Sequence, residues 1–103
     1  ALSVSVIGRD GIAVERLAVS EEPNLDLATA QLTDIAKKLQ RANEELEAGE
    51  LCEMIQRTDR YIIILSAITH EYFLMMILSA DGSLGRARFE LRKAAVAFYD
   101  ELA

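Results

Sequence analysis

Residues 61–79, YIIILSAITHEYFLMMILS, contain two apolar runs separated by the polar residues Thr69, His70 and Glu71. Each run has the length of one β-strand and is rich in the β-branched and aromatic residues that strands prefer. Neither run alternates between polar and apolar residues, so apolar side chains point to both sides of each strand. Strands with this pattern are buried on both faces. The stretch therefore predicts a central β-hairpin with one layer packed above it and another below.

A second hairpin is predicted at the N-terminal end of the chain. Residues 1–8 alternate between apolar side chains and serines, as in a strand with one buried face. The turn residues Gly8, Asp10 and Gly11 follow, since glycine tolerates positive φ and aspartate bonds its own backbone. Residues 12–19 then return as a less regular strand, and Pro23 ends the pattern.

A long amphipathic helix is predicted next, from about Leu25 to Leu46, with Asn24 or Asp26 as its N-cap and Gly49 as its stop. Apolar residues recur along it at steps of three and four residues: Leu25, Ala28, Leu32, Ile35, Leu39, Ala42 and Leu46. The same spacing fits a coiled coil, but the charge pairing that accompanies coiled coils is missing. We therefore expect a helix whose apolar stripe packs on the sheet.

The rest of the chain predicts a border strand and a final helix. Residues 51–58, LCEMIQRT, form a third strand of mixed polarity with nothing to prevent pairing with another chain. Ser83 is the expected N-cap of the last helix, and Gly85 is expected to let that helix approach the sheet closely. Its apolar face comprises Leu84, Ala87, Leu91, Ala94, Ala95, Phe98 and Leu102. The order β-β-α-β-β-β-α predicts one α+β domain, residues 1–103, with five antiparallel strands.

Charge and composition exclude several classes of protein. The chain has a net charge of −6 and 11 scattered Lys and Arg residues, which disfavours nucleic acid and an acidic membrane surface as partners. His70 and Glu71 interrupt the apolar hairpin before it could span a bilayer, so we expect no membrane insertion. The single cysteine, Cys52, fits a reducing cytoplasm. The chain also lacks an initiator methionine, from which we expect its natural N-terminus to be missing here.

The residues that could carry chemistry predict no catalytic, cofactor or metal site. His70 is the only histidine and lies in a predicted turn, and Cys52 lies in the border strand beside Glu53. Residues 82–85, GSLG, lack the glycine spacing and the Lys-Ser/Thr ending of a phosphate-binding loop. No nucleophile, base and orienting group occur in a recognisable arrangement. We expect a protein that is not an enzyme.

Three segments of the chain resemble the roadblock/LC7 domain. They are IGRDGIAVERL in the first hairpin, ITHEYFL at the central turn, and SLGRARFELRKAA at the start of the last helix. The resemblance covers nearly the whole chain and implies a profilin-like α/β/α sandwich, with helices on both faces of a five-stranded antiparallel sheet. It further implies a prokaryotic, cytoplasmic homodimer that regulates a Ras-like small GTPase and has no cofactor of its own.

The resemblance also implies two sets of site residues. Two protomers would join edge to edge through the third strand, here Leu51, Cys52, Glu53, Met54, Ile55, Gln56 and Arg57. The GTPase would contact the outer face of the long helix, here Gln31, Asp34, Lys38, Arg41 and Glu45. A dimerisation scaffold with no nucleotide-linked role stays open as an alternative. A ligand-sensing module is disfavoured, since the Ile- and Met-rich hairpin leaves no sign of a pocket.

One departure from the family concerns the N-terminus. Family members usually carry a helix before the first strand, and this sequence has none. A single last helix is narrow for one face of a five-stranded sheet. We therefore expect a partner chain, an exchanged element or the missing segment to cover that face.

Overall fold

The computed structural model describes residues 3–18 and 24–102 and contains one five-stranded antiparallel sheet with a helix on each face. The strand order is β2-β1-β5-β4-β3, so β2 and β3 are the two edges. The elements are β1 (Ser3–Gly8), β2 (Ala13–Ala18), α1 (Leu25–Glu45), β3 (Glu53–Arg57), β4 (Tyr61–Ala67), β5 (Tyr72–Ser79) and α2 (Leu84–Leu102). The predicted fold class, element order and layers are confirmed. Residues 1, 2, 19 and Pro23, and the side chains of Phe98 and Leu102, lie outside what is described.

The central hairpin divides its side chains between two cores, as its two-sided apolar pattern predicts. β4 and β5 pair with Ile64 opposite Met76 and Leu65 opposite Met75. Ile64 and Met76 belong to the core beneath α2, whereas Leu65 and Met75 belong to the core beneath α1. All four side chains are buried. Burial of large apolar side chains in two layers is the main stabilising contribution in a domain of this size.

The β1–β2 hairpin turns where its glycines and aspartate predict. Gly11 has a φ of 88°, in the left-handed region that favours glycine. The Asp10 carboxylate accepts a hydrogen bond of 3.1 Å from the Ile12 backbone amide. The register shifts between Val6 and Ile7, which leaves a bulge at Val14 in β2.

The caps of both helices are polar side chains that the sequence predicts. Asn24 accepts a hydrogen bond of 3.1 Å from the Leu27 amide, and Ser83 accepts one of 3.3 Å from the Arg86 amide. The predicted stop of α1 at Gly49 is wrong. The helix ends at Glu45, and Glu47 takes the left-handed conformation with a φ of 54°.

The face beneath α2 is better covered than the sequence suggests. Ile62, Ile64, Leu74, Met76 and Leu78 are all buried against this single helix. Most large side chains of the central strands on this face are therefore buried, and the partly exposed ones include Val4, Ile55 and Tyr72. The expected role of Gly85 is also wrong, because a Cβ there would meet only the Ser83 hydroxyl at 4.0 Å.

Candidate interaction surface

β3 is an open edge of the sheet, and its outward backbone groups can be identified. The Cys52 carbonyl accepts from the Ala67 amide at 2.9 Å, and the Thr58 amide donates to the Tyr61 carbonyl at 2.8 Å. In an antiparallel ladder the backbone N–H and C=O groups of alternate residues point to the same side of the strand. Even-numbered residues of β3 therefore bond to β4, and the N–H and C=O groups of Glu53, Ile55 and Arg57 point away from the sheet. A row of such groups is a template for another strand.

The strand is shorter than its prediction over residues 51–58. Leu51 and Cys52 precede it, and the Leu51 amide donates a 2.7 Å hydrogen bond to the Gln40 side chain. This bond ties the segment that precedes β3 to α1. Of the seven predicted edge residues, the five from Glu53 to Arg57 lie in β3.

The side chains of β3 are attached to their own protomer. Met54 packs in the core under α1 and Ile55 in the core under α2. Glu53 pairs with Arg88 of α2 at 2.9 Å, and Arg57 donates to the Ala80 carbonyl at 3.2 Å. The charged residues that could repel a second strand are thus held by neighbours within the chain, while the backbone edge stays open.

An exposed apolar stripe runs along one flank of α1. Ile35, Leu39 and Leu46 were expected in the core, but they are 44%, 38% and 74% exposed. The buried face of the helix consists instead of Leu25, Thr29, Leu32, Thr33 and Ala36. The prediction is confirmed for Leu25 and Leu32, which are buried, and is wrong for the three exposed residues. The small and hydroxyl side chains of Thr29, Thr33 and Ala36 are buried instead, which turns the larger apolar side chains of the C-terminal half away from the sheet.

This stripe lies on the β3 side of the molecule. Asp26 of α1 pairs with Arg16 of β2 at 3.0 Å, and Thr33 lies beside Gly11 of the β1–β2 turn. These contacts place that flank of α1 over β1 and β2. By helical spacing, Ile35, Leu39 and Leu46 occupy the opposite flank, towards the other end of the sheet. The apolar stripe therefore faces the same side of the molecule as the open β3 edge.

The outer face of α1 is mostly polar and exposed. The five side chains predicted to face a GTPase are all exposed: Gln31, Asp34, Lys38, Arg41 and Glu45. Asp34 and Lys38 form an ion pair of 3.5 Å one turn apart. Such an exposed pair contributes little to stability. The helix brings these residues onto one face, as helical spacing predicts.

Cys52 and His70 are surface residues. The Cys52 thiol contacts the Glu50 carbonyl at 3.6 Å, and the His70 Nδ1 lies 3.4 Å from the Glu50 carboxylate. The His70 side chain is 84% exposed. Within residues 3–18 and 24–102, no group of three or more His, Cys, Asp or Glu residues is placed to hold a metal. Nor does any helix in those ranges have the length and apolar character needed to cross a membrane.

Comparisons with known proteins identify structural relatives. No family profile and no curated protein matches the chain. The structure of MglC from Myxococcus xanthus is 30% identical, with a TM-score of 0.63, over 97% of this chain and 85% of that one. MglB from Myxococcus xanthus has a TM-score of 0.88 at 12% identity, over 99% and 83%. A Roadblock/LC7 domain from Streptomyces avermitilis has a TM-score of 0.85 at 12% identity, over 98% and 84%.

The likeness to MglC rests on sequence as well as fold. At 12% identity, the likenesses to MglB and to the Streptomyces domain concern the fold alone. Their TM-scores nevertheless mean that the sheet order and the placement of both helices are shared over nearly the whole chain.

Proposed function

The chain belongs to the roadblock/LC7 family, and from this premise we propose that it is a non-catalytic, dimeric regulator or adaptor of a Ras-like small GTPase. The observation that carries the proposal is the open β3 edge, with the exposed apolar stripe of α1 facing the same side of the molecule. A protein that self-associates there presents two copies of the polar α1 face on one side of the assembly. Such a face is suited to binding another protein.

Dimerisation through β3 is part of the proposal. The edge segment from Leu51 to Arg57 would pair with the same segment of a second protomer, the outward groups of Glu53, Ile55 and Arg57 making the bonds. Ile35, Leu39 and Leu46 would then be covered together with the strand. Burial of apolar side chains and satisfaction of backbone groups at one border would favour association.

The GTPase would bind the outer face of α1. Gln31, Asp34, Lys38, Arg41 and Glu45 offer donors and acceptors of both signs, a composition typical of the rim of a protein interface. We assign no arginine finger. A regulator of this kind would act by stabilising one arrangement of residues that the GTPase itself supplies. We also propose that residues 1–103 act as one domain in the cytoplasm of a prokaryote.

The test is binding and single-turnover GTP hydrolysis with the Ras-like GTPase encoded nearest to this gene. We expect complex formation that depends on the bound nucleotide and a change in the hydrolysis rate. Absence of both binding and a rate change would contradict the proposal. Equal binding to the GDP and GTP forms with an unchanged rate would favour the dimerisation scaffold instead.

A further inference from the structure

Three cationic side chains surround one open cavity beside the C-terminal half of α1. The cavity has a volume of about 260 Å³ and is lined by Arg9, Lys37, Arg41 and Glu44, with Phe73 and Ala36 as apolar parts of its wall. We call it the basic hollow. Three cations against one carboxylate make it locally positive in a chain whose net charge is −6. Because the hollow is positive whereas the whole chain is negative, it is suited to binding an anionic group of another molecule.

Arg9 is held in position by contacts that leave its charge uncompensated. Its guanidinium carbon lies 4.2 Å from the centre of the Phe73 ring, and Nη2 donates to the Thr69 carbonyl at 3.4 Å. Its backbone amide donates to the Glu71 carbonyl at 3.1 Å. Its Nε is buried and has no hydrogen-bond partner among the described residues. The guanidinium is thus a fixed donor that no carboxylate of the described chain neutralises.

Lys37 and Arg41 are the two exposed cations of the basic hollow. Neither side chain forms an ion pair with a residue of 3–18 or 24–102. They are one helical turn apart, and like charges at this spacing destabilise a helix. Both side chains are exposed. Neither charge is used in an ion pair within the described parts of the chain, so both are available to an anionic group of a binding partner.

We propose that the basic hollow receives a carboxylate side chain from an acidic segment of the partner GTPase. This inference rests on the proposed function, because Arg41 belongs both to the hollow and to the outer face of α1. A guanidinium binds a carboxylate through two parallel hydrogen bonds. Glu44 would repel a polyphosphate, which carries several charges, more strongly than it would repel one carboxylate.

The experiment measures the affinity of the GTPase for wild type and for three variants at two salt concentrations. Lys37→Gln with Arg41→Gln should weaken binding about five- to tenfold and reduce its salt dependence. Arg92→Gln with Lys93→Gln removes the same charge from the exposed side of α2 and should leave affinity unchanged. Glu44→Gln removes a repulsive carboxylate and should tighten binding about two- to fivefold. If these residues had only a structural role, Lys37→Gln with Arg41→Gln and Glu44→Gln would not change the affinity in opposite directions.

A second probe separates this inference from the proposed function. Hexaglutamate, titrated into the protein and followed by NMR, should shift the Arg9 Nε–H signal and the Phe73 ring. Wild-type GTPase binding that Lys37→Gln with Arg41→Gln leaves unchanged would overturn the inference and leave the function standing. Failure of the GTPase to bind at all would overturn the function, and the hexaglutamate shifts would then decide whether the hollow accepts carboxylates. Stronger shifts with inorganic phosphate, or altered self-association of the double variant, would overturn the inference.

Discussion

At the scale of single residues, two buried threonines of α1 differ in their hydrogen bonds. Thr29 and Thr33 are each 2% exposed. The Thr29 hydroxyl donates to the Leu25 carbonyl at 2.7 Å and accepts from Arg16 at 3.5 Å. The Thr33 hydroxyl has no partner among the described residues. A buried polar group without a partner costs free energy, whereas one with partners roughly recovers that cost.

Valine substitutions at the two positions should therefore change the free energy of unfolding in opposite directions. Thr33→Val should raise the free energy of unfolding by up to about 1 kcal/mol, because it removes an unpaired hydroxyl at nearly constant volume. Thr29→Val should lower it by about 1 kcal/mol, because Arg16 then loses an acceptor. Urea unfolding followed by circular dichroism measures both. The two variants are controls for each other, since valine and threonine have similar helix propensities. Equal effects would contradict the assignment.

Asp81 gives the turn before α2 a dependence on pH. A hydrogen bond from the Ser79 side chain, and then one from its own backbone, lower the pKa of the Asp81 carboxyl below its ordinary value. A carboxyl with a lower pKa in the folded state stabilises the fold above its unfolded pKa, and this contribution is lost as the pH falls through the folded pKa. Ser79→Ala removes the main donor. The variant should lose less stability than wild type between about pH 7 and about pH 3.

The measurement is urea unfolding of both proteins at the two pH values, together with an NMR titration of the Asp81 carboxyl. The pKa of Asp81 should rise in Ser79→Ala. An unchanged pKa would show that the Ser79 hydroxyl is not the cause of the shift.

At the scale of elements, the end of α1 contains backbone strain that glycine would relieve. Glu47 has a φ of 54° just after the helix, a conformation that glycine adopts far more readily. Glu47→Gly should raise the free energy of unfolding by about 0.5–1 kcal/mol, and it also removes a negative charge from a helix C-terminus. Thermal unfolding measures the change. Gly49→Ala is the control and should destabilise the fold, because Gly49 has a φ of 94°, which alanine adopts only with strain. No atom lies near an added Cβ at this position, so the effect reports backbone conformation and not a steric clash.

The orientation of the β3 backbone can be tested by proline substitution. Arg57→Pro removes an outward amide, so the monomer should remain folded while self-association weakens at least about tenfold. Gln56→Pro removes an amide that bonds to β4 and should destabilise the sheet itself by about 1–3 kcal/mol. Sedimentation velocity and circular dichroism distinguish these outcomes. If Arg57→Pro unfolds while Gln56→Pro stays folded, the outward and inward backbone groups of β3 are the opposite of those assigned here.

At the scale of the whole molecule, self-association should depend on the apolar stripe and not on exposed leucines in general. Leu39→Asp places a charge in the proposed interface and should weaken the dimer at least about tenfold. Leu27 is 56% exposed on the outward side of the same helix, so Leu27→Asp is a matched control that should leave the dimer intact. Sedimentation equilibrium measures both dissociation constants. The melting temperature of wild type should also rise with protein concentration.

A monomer at all concentrations would contradict the dimer. If Leu39→Asp and Leu27→Asp weaken the dimer equally, the outward side of α1 also contributes to the dimer interface.

The sequence by itself determined the central hairpin with its two covered faces, the caps at Asn24 and Ser83, and the order of strands and helices. These features depend on side chains close together along the chain, since periodicity and capping are local. The position of β3 at the border was also predictable from its mixed polarity.

Only the tertiary structure decided which flank of α1 is buried. Helical periodicity defines the relative positions of side chains but not the rotation of the helix on the sheet. That rotation follows from contacts of Thr33 with the β1–β2 turn and of Arg16 with Asp26, between residues far apart in sequence. It leaves Ile35 and Leu39 exposed, and it brings Lys37 and Arg41 to Arg9. The basic hollow therefore exists only because packing joins three separate segments, which no local pattern specifies.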